Sequence, residues 1–149
     1  MSNSKNEINV TGLLGYRLKQ TQHALRLHMD EALGSLNLTT PQYAVLAQLE
    51  LKPGISNATL ARASFITPQT MHGIVANLEK RKLIIRKKDS QHGRILCTAL
   101  TDAGHQIVQK AHQMIKEVEA IMTSTMTDQD KSLLENFLTE CFNNLNQHS

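Results

Sequence analysis

Apolar residues recur with a helical period over most of the chain, and this pattern predicts a mainly α protein. The predicted helices cover residues 10–36, 40–52, 57–64, 67–82, 101–123 and 128–147. Ser or Thr stands at the start of most of them, where its hydroxyl can cap a backbone N–H of the first turn. Pro41 and Pro68 follow such residues, at positions where the missing N–H costs nothing. The remaining regular structure is expected to be a small β element.

Two short β-prone segments, 83–88 and 94–100, flank the turn sequence AspSerGlnHisGly. Such segments around a Gly-containing loop predict a hairpin. A basic hairpin directly after a helix pair is typical of a wing, which would place Arg94 in a DNA minor groove, where the negative potential favours Arg. The alternative is a solvated hairpin that carries ordinary surface charges.

The segment 67–82 predicts an amphipathic helix with an unusual outer face. Its buried stripe consists of Met71, Ile74, Val75 and Leu78. The opposite stripe consists of Gln69, His72, Gly73, Ala76 and Lys80. A Gly inside a helix costs about 1 kcal/mol relative to Ala, so close approach to another surface would explain it. The polar front and cationic end suit a DNA groove; the alternative is an ordinary surface helix.

The preceding helix, 57–64, is capped by Ser56 or Asn57 and turns Leu60 and Ala61 inward. Only Phe65 and Ile66 separate it from the N-cap of the next helix. Two short helices joined by so tight a turn predict a helix-turn-helix. With the hairpin, residues 37–101 are therefore interpreted as a winged helix-turn-helix DNA-binding domain.

The helices at the two ends of the chain carry wider apolar faces than a surface helix needs. We interpret residues 9–36 and 102–147 as a helical dimerisation region formed by both termini, with the surplus apolar surface covered by a second copy. A self-contained three-helix core is the alternative.

The charge of the chain is unevenly distributed. Its net charge is +3, but residues 53–100 contain eight Lys and Arg against Glu79 and Asp89, a local charge of +6, which leaves −3 elsewhere. A basic middle between mildly acidic ends favours a polyanion-binding module on a neutral scaffold.

The N-terminal sequence has no signal-peptide core and no apolar run approaches a membrane span of about 20 residues, so we expect a cytoplasmic protein without a membrane partner. The spacing of Cys97 and Cys141 indicates neither a disulfide framework nor a metal site, and both thiols are expected to be buried.

The sequence contains no nucleophile elbow, phosphate loop or paired His and carboxylate constellation, so neither a catalytic site nor a cofactor is expected. His105 and His112 share a helix face and His28 is a candidate third ligand, but no Cys or clear acidic partner accompanies them. Hydrogen-bonded or exposed histidines are the preferred interpretation, and no metal site is predicted.

Taken in order, these segments resemble the MarR-type winged helix-turn-helix regulators. The resemblance rests on LeuLeuGlyTyrArgLeu at 13–18, LeuThrThrProGlnTyrAlaValLeu at 38–46, LeuAlaArg at 60–62, ThrProGlnThrMetHisGlyIleValAlaAsnLeuGlu at 67–79, LysLeuIleIleArg at 82–86, AspSerGlnHisGlyArg at 89–94 and LeuThrAspAlaGly at 100–104. It implies a homodimer with a recognition helix in the major groove, a wing in the minor groove and often a small-molecule or oxidant effector.

On this interpretation, Gln69 and His72 read bases, Thr70 touches a thymine and Pro68 packs on a sugar or methyl group. Gly73 allows close approach to the groove wall. The phosphate contacts, which set register rather than sequence, are assigned to Asn57, Arg62, Lys80, Arg86 and Lys88.

The resemblance also implies an effector pocket between the first, second and fifth helices, suited to a small aromatic or anionic ligand. Its expected lining residues are Arg17, His23, Leu27, Tyr43 and Leu46, with Arg26 as a second candidate for an anionic group.

Two features depart from the family pattern. The Asp that usually precedes the wing Arg is replaced by His92, leaving Asp89 as its substitute, and the N-terminal Cys of the peroxide-sensing branch is missing.

The sequence therefore predicts a dimeric, sequence-specific DNA-binding repressor released by a small-molecule effector. Its operator would be pseudo-palindromic, with half-sites about 10–10.5 bp apart. The alternative function is a winged-helix module that binds another protein and no specific DNA.

Overall fold

The computed structural model describes residues 9–88 and 96–148, and it has the predicted order of six helices and a two-stranded hairpin. The helices are α1 Leu14–Gly34, α2 Thr40–Leu51, α3 Asn57–Ala63, α4 Pro68–Lys80, α5 Asp102–Met122 and α6 Asp128–Gln147. Strands β1, Ile84–Lys88, and β2, Leu96–Leu100, pair antiparallel with Ile84 opposite Leu100. The mainly α fold with a small β wing is thus confirmed.

Side-chain caps fix where most helices begin. The hydroxyls of Thr39, Ser56, Thr67, Thr101 and Thr127 each accept a hydrogen bond from the backbone N–H three residues further on. The N-terminus of α1 differs from the prediction. Residues 10–12 form a separate 3₁₀ turn capped by Asn9, and an extended residue, Leu13, separates that turn from α1.

The hydrophobic core lies within the helix-turn-helix and reaches into the long helices. Its fully buried side chains include Leu46, Leu49, Leu60, Met71 and Leu78. Leu33 of α1 and Val108, Ala111 and Ile115 of α5 belong to the same cluster. The core is therefore continuous across residues 37 and 101, the predicted edges of the DNA-binding domain.

A close backbone contact joins the end of α4 to the start of α5. Gly104 is buried in the first turn of α5, and a Cβ on it would lie 2.0 Å from the carbonyl oxygen of Leu83. The same carbonyl accepts the backbone N–H of Thr101 at 3.1 Å. Because a peptide oxygen cannot move without its strand, only Gly fits at position 104.

A polar network joins α2 to α5. The Tyr43 hydroxyl lies 2.8 Å from His112 Nδ1, and His112 Nε2 lies 2.7 Å from Glu50. Gln109 donates to the other Glu50 oxygen at 2.6 Å. The distances fit a tautomer in which Nε2 donates to Glu50 and Nδ1 accepts from the Tyr43 hydroxyl. His112 is thus a hydrogen-bonded histidine, as the sequence suggested, but the expectation that it lacks an acidic partner is wrong, because Glu50 comes from a distant part of the chain.

These contacts shift two pKa values in opposite directions. The hydrogen bond from His112, followed by that from Gln109, lowers the pKa of Glu50 despite its partial burial. Burial, together with the charges of Glu119 and Glu50, raises the pKa of Tyr43. At neutral pH the network therefore contains a carboxylate and an un-ionised phenol.

Helix α6 behaves differently from the others, because no residue of it is buried. Its exposed apolar side chains include Leu133, Phe137, Leu138 and Phe142. Cys141, which lies on this helix, is exposed and Cys97 on β2 is only partly buried, so the expectation that both thiols are buried is wrong. For Cys141, the reason is that α6 adds nothing to the core of its own chain.

Within the part of the chain that the structure describes, no helix has the length and apolarity to cross a membrane.

We predict that Gly104→Ala lowers the free energy of unfolding by roughly 2–3 kcal/mol, the upper part of the range for overpacking, because the new Cβ forces Leu83 or α5 to move. Urea denaturation at fixed protein concentration measures it. The matched control is Gly73→Ala in α4, where a Cβ meets no atom within 4 Å. Equal stability of the two alanine variants would contradict the prediction.

We further predict that Glu50→Gln lowers the free energy of unfolding at pH 7 by about 1 kcal/mol, since a charge-assisted hydrogen bond is weakened. The folded-state pKa of Glu50 lies below its unfolded value, so its contribution is present above the unfolded pKa and is lost as pH falls through the folded pKa. Stability of the variant should therefore fall less steeply below pH 5. Glu31→Gln, at an exposed position, serves as the control. If the free energy of unfolding fell equally steeply below pH 5 in Glu50→Gln and in wild type, the prediction would be refuted.

Candidate nucleic-acid interface

Helices α3 and α4 form the predicted helix-turn-helix. They are joined by residues 64–67, in which Phe65 has a φ of 55° and an 86% exposed side chain. Leu60, Ala61 and Met71 hold the pair together from the buried side. The predicted buried stripe of α4 is confirmed for Met71, Val75 and Leu78, while Ile74 is partly buried.

The opposite side of α4 is open to solvent. Pro68, Gln69, Thr70, His72 and Gly73 are all exposed and follow one another over the first two turns. These are the α4 residues that the sequence assigns to the groove: Gln69, His72 and Thr70 to bases, Pro68 to a sugar or methyl group and Gly73 to close approach. Their arrangement results from the cap at the helix start, where Thr67 fixes the first turn.

The capping bond also orients one base-reading candidate. The Thr67 hydroxyl accepts the backbone N–H of Thr70 at 3.3 Å and donates to the Thr70 hydroxyl at 2.9 Å. The Thr70 oxygen is thus held toward the helix N-terminus, and its own proton is available to a further acceptor. Among the described residues, Gln69 and His72 make no comparable side-chain hydrogen bond, and both are exposed.

Of the predicted phosphate contacts, Lys80 and Lys88 are exposed, at the end of α4 and the end of β1. Arg62 is exposed in the last turn of α3 and donates to Thr59 at 3.3 Å. Asn57 is partly buried, and its Oδ1 is buried without a hydrogen-bond partner among the described residues, so its Nδ2 is the donor that could meet a phosphate. These four side chains lie on three elements, α3, α4 and β1.

Arg86 has an intramolecular partner instead. Its guanidinium forms an ion pair with Glu79, with Nε 2.9 Å from the carboxylate oxygen. This hydrogen bond lowers the pKa of Glu79 and raises the pKa of Arg86. The pair ties β1 to α4, so Arg86 positions the wing strand as well as supplying positive charge.

The tip of the wing lies outside the described residues. This applies to Arg94, the proposed minor-groove side chain, and to Asp89 and His92, which carry the departure from the family pattern. Their roles remain predictions from the sequence.

The predicted effector residues are dispersed. Arg17, His23 and Leu27 are exposed on α1, whereas Leu46 is fully buried in the core. A ligand would reach Leu46 only if the core opened. Tyr43 is partly buried and engaged by His112. Two nearby clefts share only Arg26 with the predicted set. One, of about 360 Å³, is lined by Arg26, Asp30, Leu38, Thr39, Pro41, Thr70 and Ile74. The other, of about 190 Å³ between α1 and α5, is lined by Thr21, Ala24, Leu25, His28, Val118, Ile121 and Met122.

Sequence reasoning missed the role of one basic residue. Arg81 was counted in the basic cluster after α4, but its side chain donates to the carbonyls of Leu36 and Asn37 at the end of α1. The signal available in the sequence, a cationic run, does not distinguish a solvent-facing Arg from one that caps another helix.

In the described part of the chain, no cluster of three or more His, Cys, Asp or Glu could hold a metal ion.

The chain is similar to known regulators over most of its length. A family model described as "MarR family" matches residues 36–95. The HTH-type transcriptional repressor Rv2887 of Mycobacterium tuberculosis is 32% identical over 114 residues, which are 76% of this chain and 82% of the relative. The transcriptional regulator HosA of Escherichia coli is 28% identical over 107 residues, or 72% and 79% of the two chains.

Solved structures give the same result. The complex of M. tuberculosis Rv2887 with DNA matches with a TM-score of 0.74 at 28% identity, covering 87% of this chain and 97% of that one. The repressor CouR, bound to a 23-mer DNA duplex, matches with a TM-score of 0.80 at 25% identity, covering 87% and 92%. In sequence and in fold, then, the chain belongs to the MarR family of winged helix-turn-helix transcriptional regulators.

Proposed function

We propose that this protein is a cytoplasmic, homodimeric repressor that binds a pseudo-palindromic DNA operator and is released by a small-molecule effector. The observation that carries the proposal is the front of α4, where Pro68, Gln69, Thr70, His72 and Gly73 are all exposed in the first two turns of a helix whose start is capped by Thr67. Such a helix N-terminus enters the major groove in helix-turn-helix proteins. The role is one of binding rather than catalysis.

The assignment of individual contacts follows from their positions. Gln69 and His72 would read base edges, with Thr70 and Pro68 contacting a methyl group or sugar. The phosphate contacts would come from Asn57, Arg62, Lys80 and Lys88, which lie on α3, α4 and β1. Arg86 would contribute through its charge and through its bond to Glu79, and Arg94 would enter the minor groove from the wing.

The exposed apolar side chains of the terminal helices support a dimer. Leu14 is 87% exposed and Phe137 is 59% exposed, and neighbouring large apolar residues on α1, α5 and α6 share this exposure. Contiguous exposed apolar surface marks an interaction site. We therefore propose that residues 9–36 and 102–147 form the dimerisation region and that residues 37–101 carry the DNA-binding function.

An effector of aromatic carboxylate type is supported by a relative, since Rv2887 of M. tuberculosis has been solved in complex with salicylic acid. We propose the junction of α1, α2 and α5 as its site, where ligand binding would draw together the separate side chains of Arg17 or Arg26, for the carboxylate, and of His23, Leu27 and Tyr43, for the ring. A ligand there would act on the junction that holds the helix-turn-helix against α5.

The DNA upstream of the protein's own gene is the substrate for the first test. Fluorescence anisotropy at graded salt should reveal tight, sequence-selective binding whose affinity falls steeply with salt, as counterions are released. Addition of salicylic acid should dissociate the complex. Binding that is absent, or indifferent to sequence, would favour the alternative of a winged-helix module for a protein partner.

We predict that Gln69→Ala weakens binding to the operator by roughly 1–3 kcal/mol with an unchanged salt slope, because it removes a base contact. The matched control is Lys80→Ala, which should weaken binding to all sequences and reduce the salt slope by about one. Anisotropy with operator and scrambled DNA measures both effects. If Gln69→Ala bound the operator like wild type, the groove assignment of α4 would be incorrect.

We also predict that Gly73→Ala has opposite effects on stability and on binding. A Cβ at this position meets no protein atom within 4 Å, so the variant should be more stable by up to about 1 kcal/mol. Operator affinity should fall, because the methyl group separates α4 from the groove wall. Gly34→Ala, which also meets nothing within 4 Å, should leave affinity unchanged. An operator affinity equal to that of wild type in Gly73→Ala would exclude close approach at this residue.

A further inference from the structure

The three basic residues at the end of α4, 80–82, differ in the direction of their side chains. Lys80 and Lys82 are exposed, whereas Arg81 is partly buried and directed at α1. Its Nη1 donates to the carbonyl oxygen of Asn37 at 2.7 Å, and its Nη2 donates to that of Leu36 at 3.2 Å. One guanidinium therefore binds two successive backbone carbonyls of another element.

The two acceptors lie directly after the end of α1. The chain turns there because Asn37 adopts a φ of 52°, and the backbone N–H groups of Leu36, Asn37 and Leu38 bond back to Leu33 and Gly34. The C-terminal end of a helix carries partial negative charge, which favours a cation. The planar fork of Arg matches two adjacent carbonyls, whereas the ammonium group of Lys cannot make the same paired contact.

The rest of the C-terminal end of α4 is fixed to other elements. The carbonyl of Lys82 accepts the Thr101 hydroxyl at 2.7 Å, and Leu83 accepts the Thr101 N–H, so the segment is bound to the start of α5. Glu79 binds Arg86 on β1. Arg81 supplies the connection to α1, so this end of α4 is held by three different elements.

Helix α1 is one of the helices whose exposed apolar residues support the dimer. We infer that Arg81 is a positioning residue that fixes α4 against α1 and thereby sets the separation of the two recognition helices in the dimer. It would not contact phosphate. The inference rests on the proposed dimeric DNA-binding function, and it makes the spacing of the two half-sites depend on a residue that does not touch DNA.

The key comparison is Arg81→Lys, which retains the charge and removes the fork. In a phosphate contact this exchange is mild, whereas in the α1 contact it removes one of the two hydrogen bonds and the fixed geometry. Arg81→Gln removes the charge as well. The matched control is Lys80→Gln, which changes the neighbouring exposed cation.

The first readout requires no DNA. A spin label at Ala76→Cys, in a chain carrying Cys97→Ser and Cys141→Ser, reports the distance between the two α4 helices of the free dimer. We expect one narrow distance with Arg81, and a broader or shifted distribution with Lys or Gln at this position. Circular dichroism and sedimentation would establish that each variant is folded and dimeric. An unchanged distribution in both Arg81 variants would overturn the inference.

The second readout uses operators whose half-sites are moved apart or together by one base pair. Wild type should prefer one spacing, which is expected near one helical turn. Arg81→Lys should bind the preferred operator about tenfold more weakly, discriminate less between spacings and keep the wild-type salt slope. Lys80→Gln should lower the salt slope by about one and keep the spacing preference.

The outcomes distinguish failure of the Arg81 inference from failure of the proposed DNA-binding function. If Arg81→Lys binds like wild type at every spacing while Arg81→Gln loses about one unit of salt slope, Arg81 is a phosphate contact and the inference fails. If wild type binds no operator, the proposed function fails, and the distance measurement on the free dimer still decides whether Arg81 fixes α4.

Discussion

The contact between Gly104 and the Leu83 carbonyl is the constraint on which the arrangement of the molecule depends. It brings the backbone at the end of α4 directly against the first turn of α5, closer than any side chain would allow. The Thr101 side chain and N–H then bind the Lys82 and Leu83 carbonyls. The position of the recognition helix relative to α5 is therefore set by backbone atoms, which cannot adjust as flexible side chains can.

Polar contacts extend this constraint to the other elements. Tyr43 and Glu50 hold α2 against α5 through His112, and Asp30 of α1 accepts the N–H and the hydroxyl of Thr40 at the start of α2. Hydrogen bonds demand specific distances and directions, whereas the aliphatic core tolerates small shifts. The core thus supplies most of the stability, and the polar contacts select one orientation of the helix-turn-helix on the long helices.

Helix α4 consequently has two functional ends. Its N-terminal half exposes polar side chains and Gly73, which has no side chain, to solvent. Such a surface is suited to contact with a binding partner. Its C-terminal end is bound to α1, α5 and β1 through Arg81, the Lys82 and Leu83 carbonyls, and Glu79. Helix α4 is thus open to solvent at one end and bound to three other elements at the other.

The sequence by itself determined the order and the type of the elements. Periodic apolar residues, Thr and Ser caps and the position of Pro68 are local signals, and they predicted the six helices, the hairpin and the exposed front of α4. The family resemblance also followed from local motifs. The start of α1 was misplaced because the extended Leu13 interrupts a sequence that otherwise reads as helix.

Only the tertiary structure decided which charged and polar side chains face inward. Arg81 and Arg86 look like any members of a basic run, yet one binds the end of α1 and the other binds Glu79, because their partners come from distant parts of the chain. The same holds for Leu46, which was expected to line an effector pocket but is buried in the core. It also holds for Gly104, which must be glycine because the carbonyl oxygen of Leu83, 21 positions earlier in the chain, lies against it. Local pattern fixes what an element is, while the contacts between elements decide what each of its side chains does.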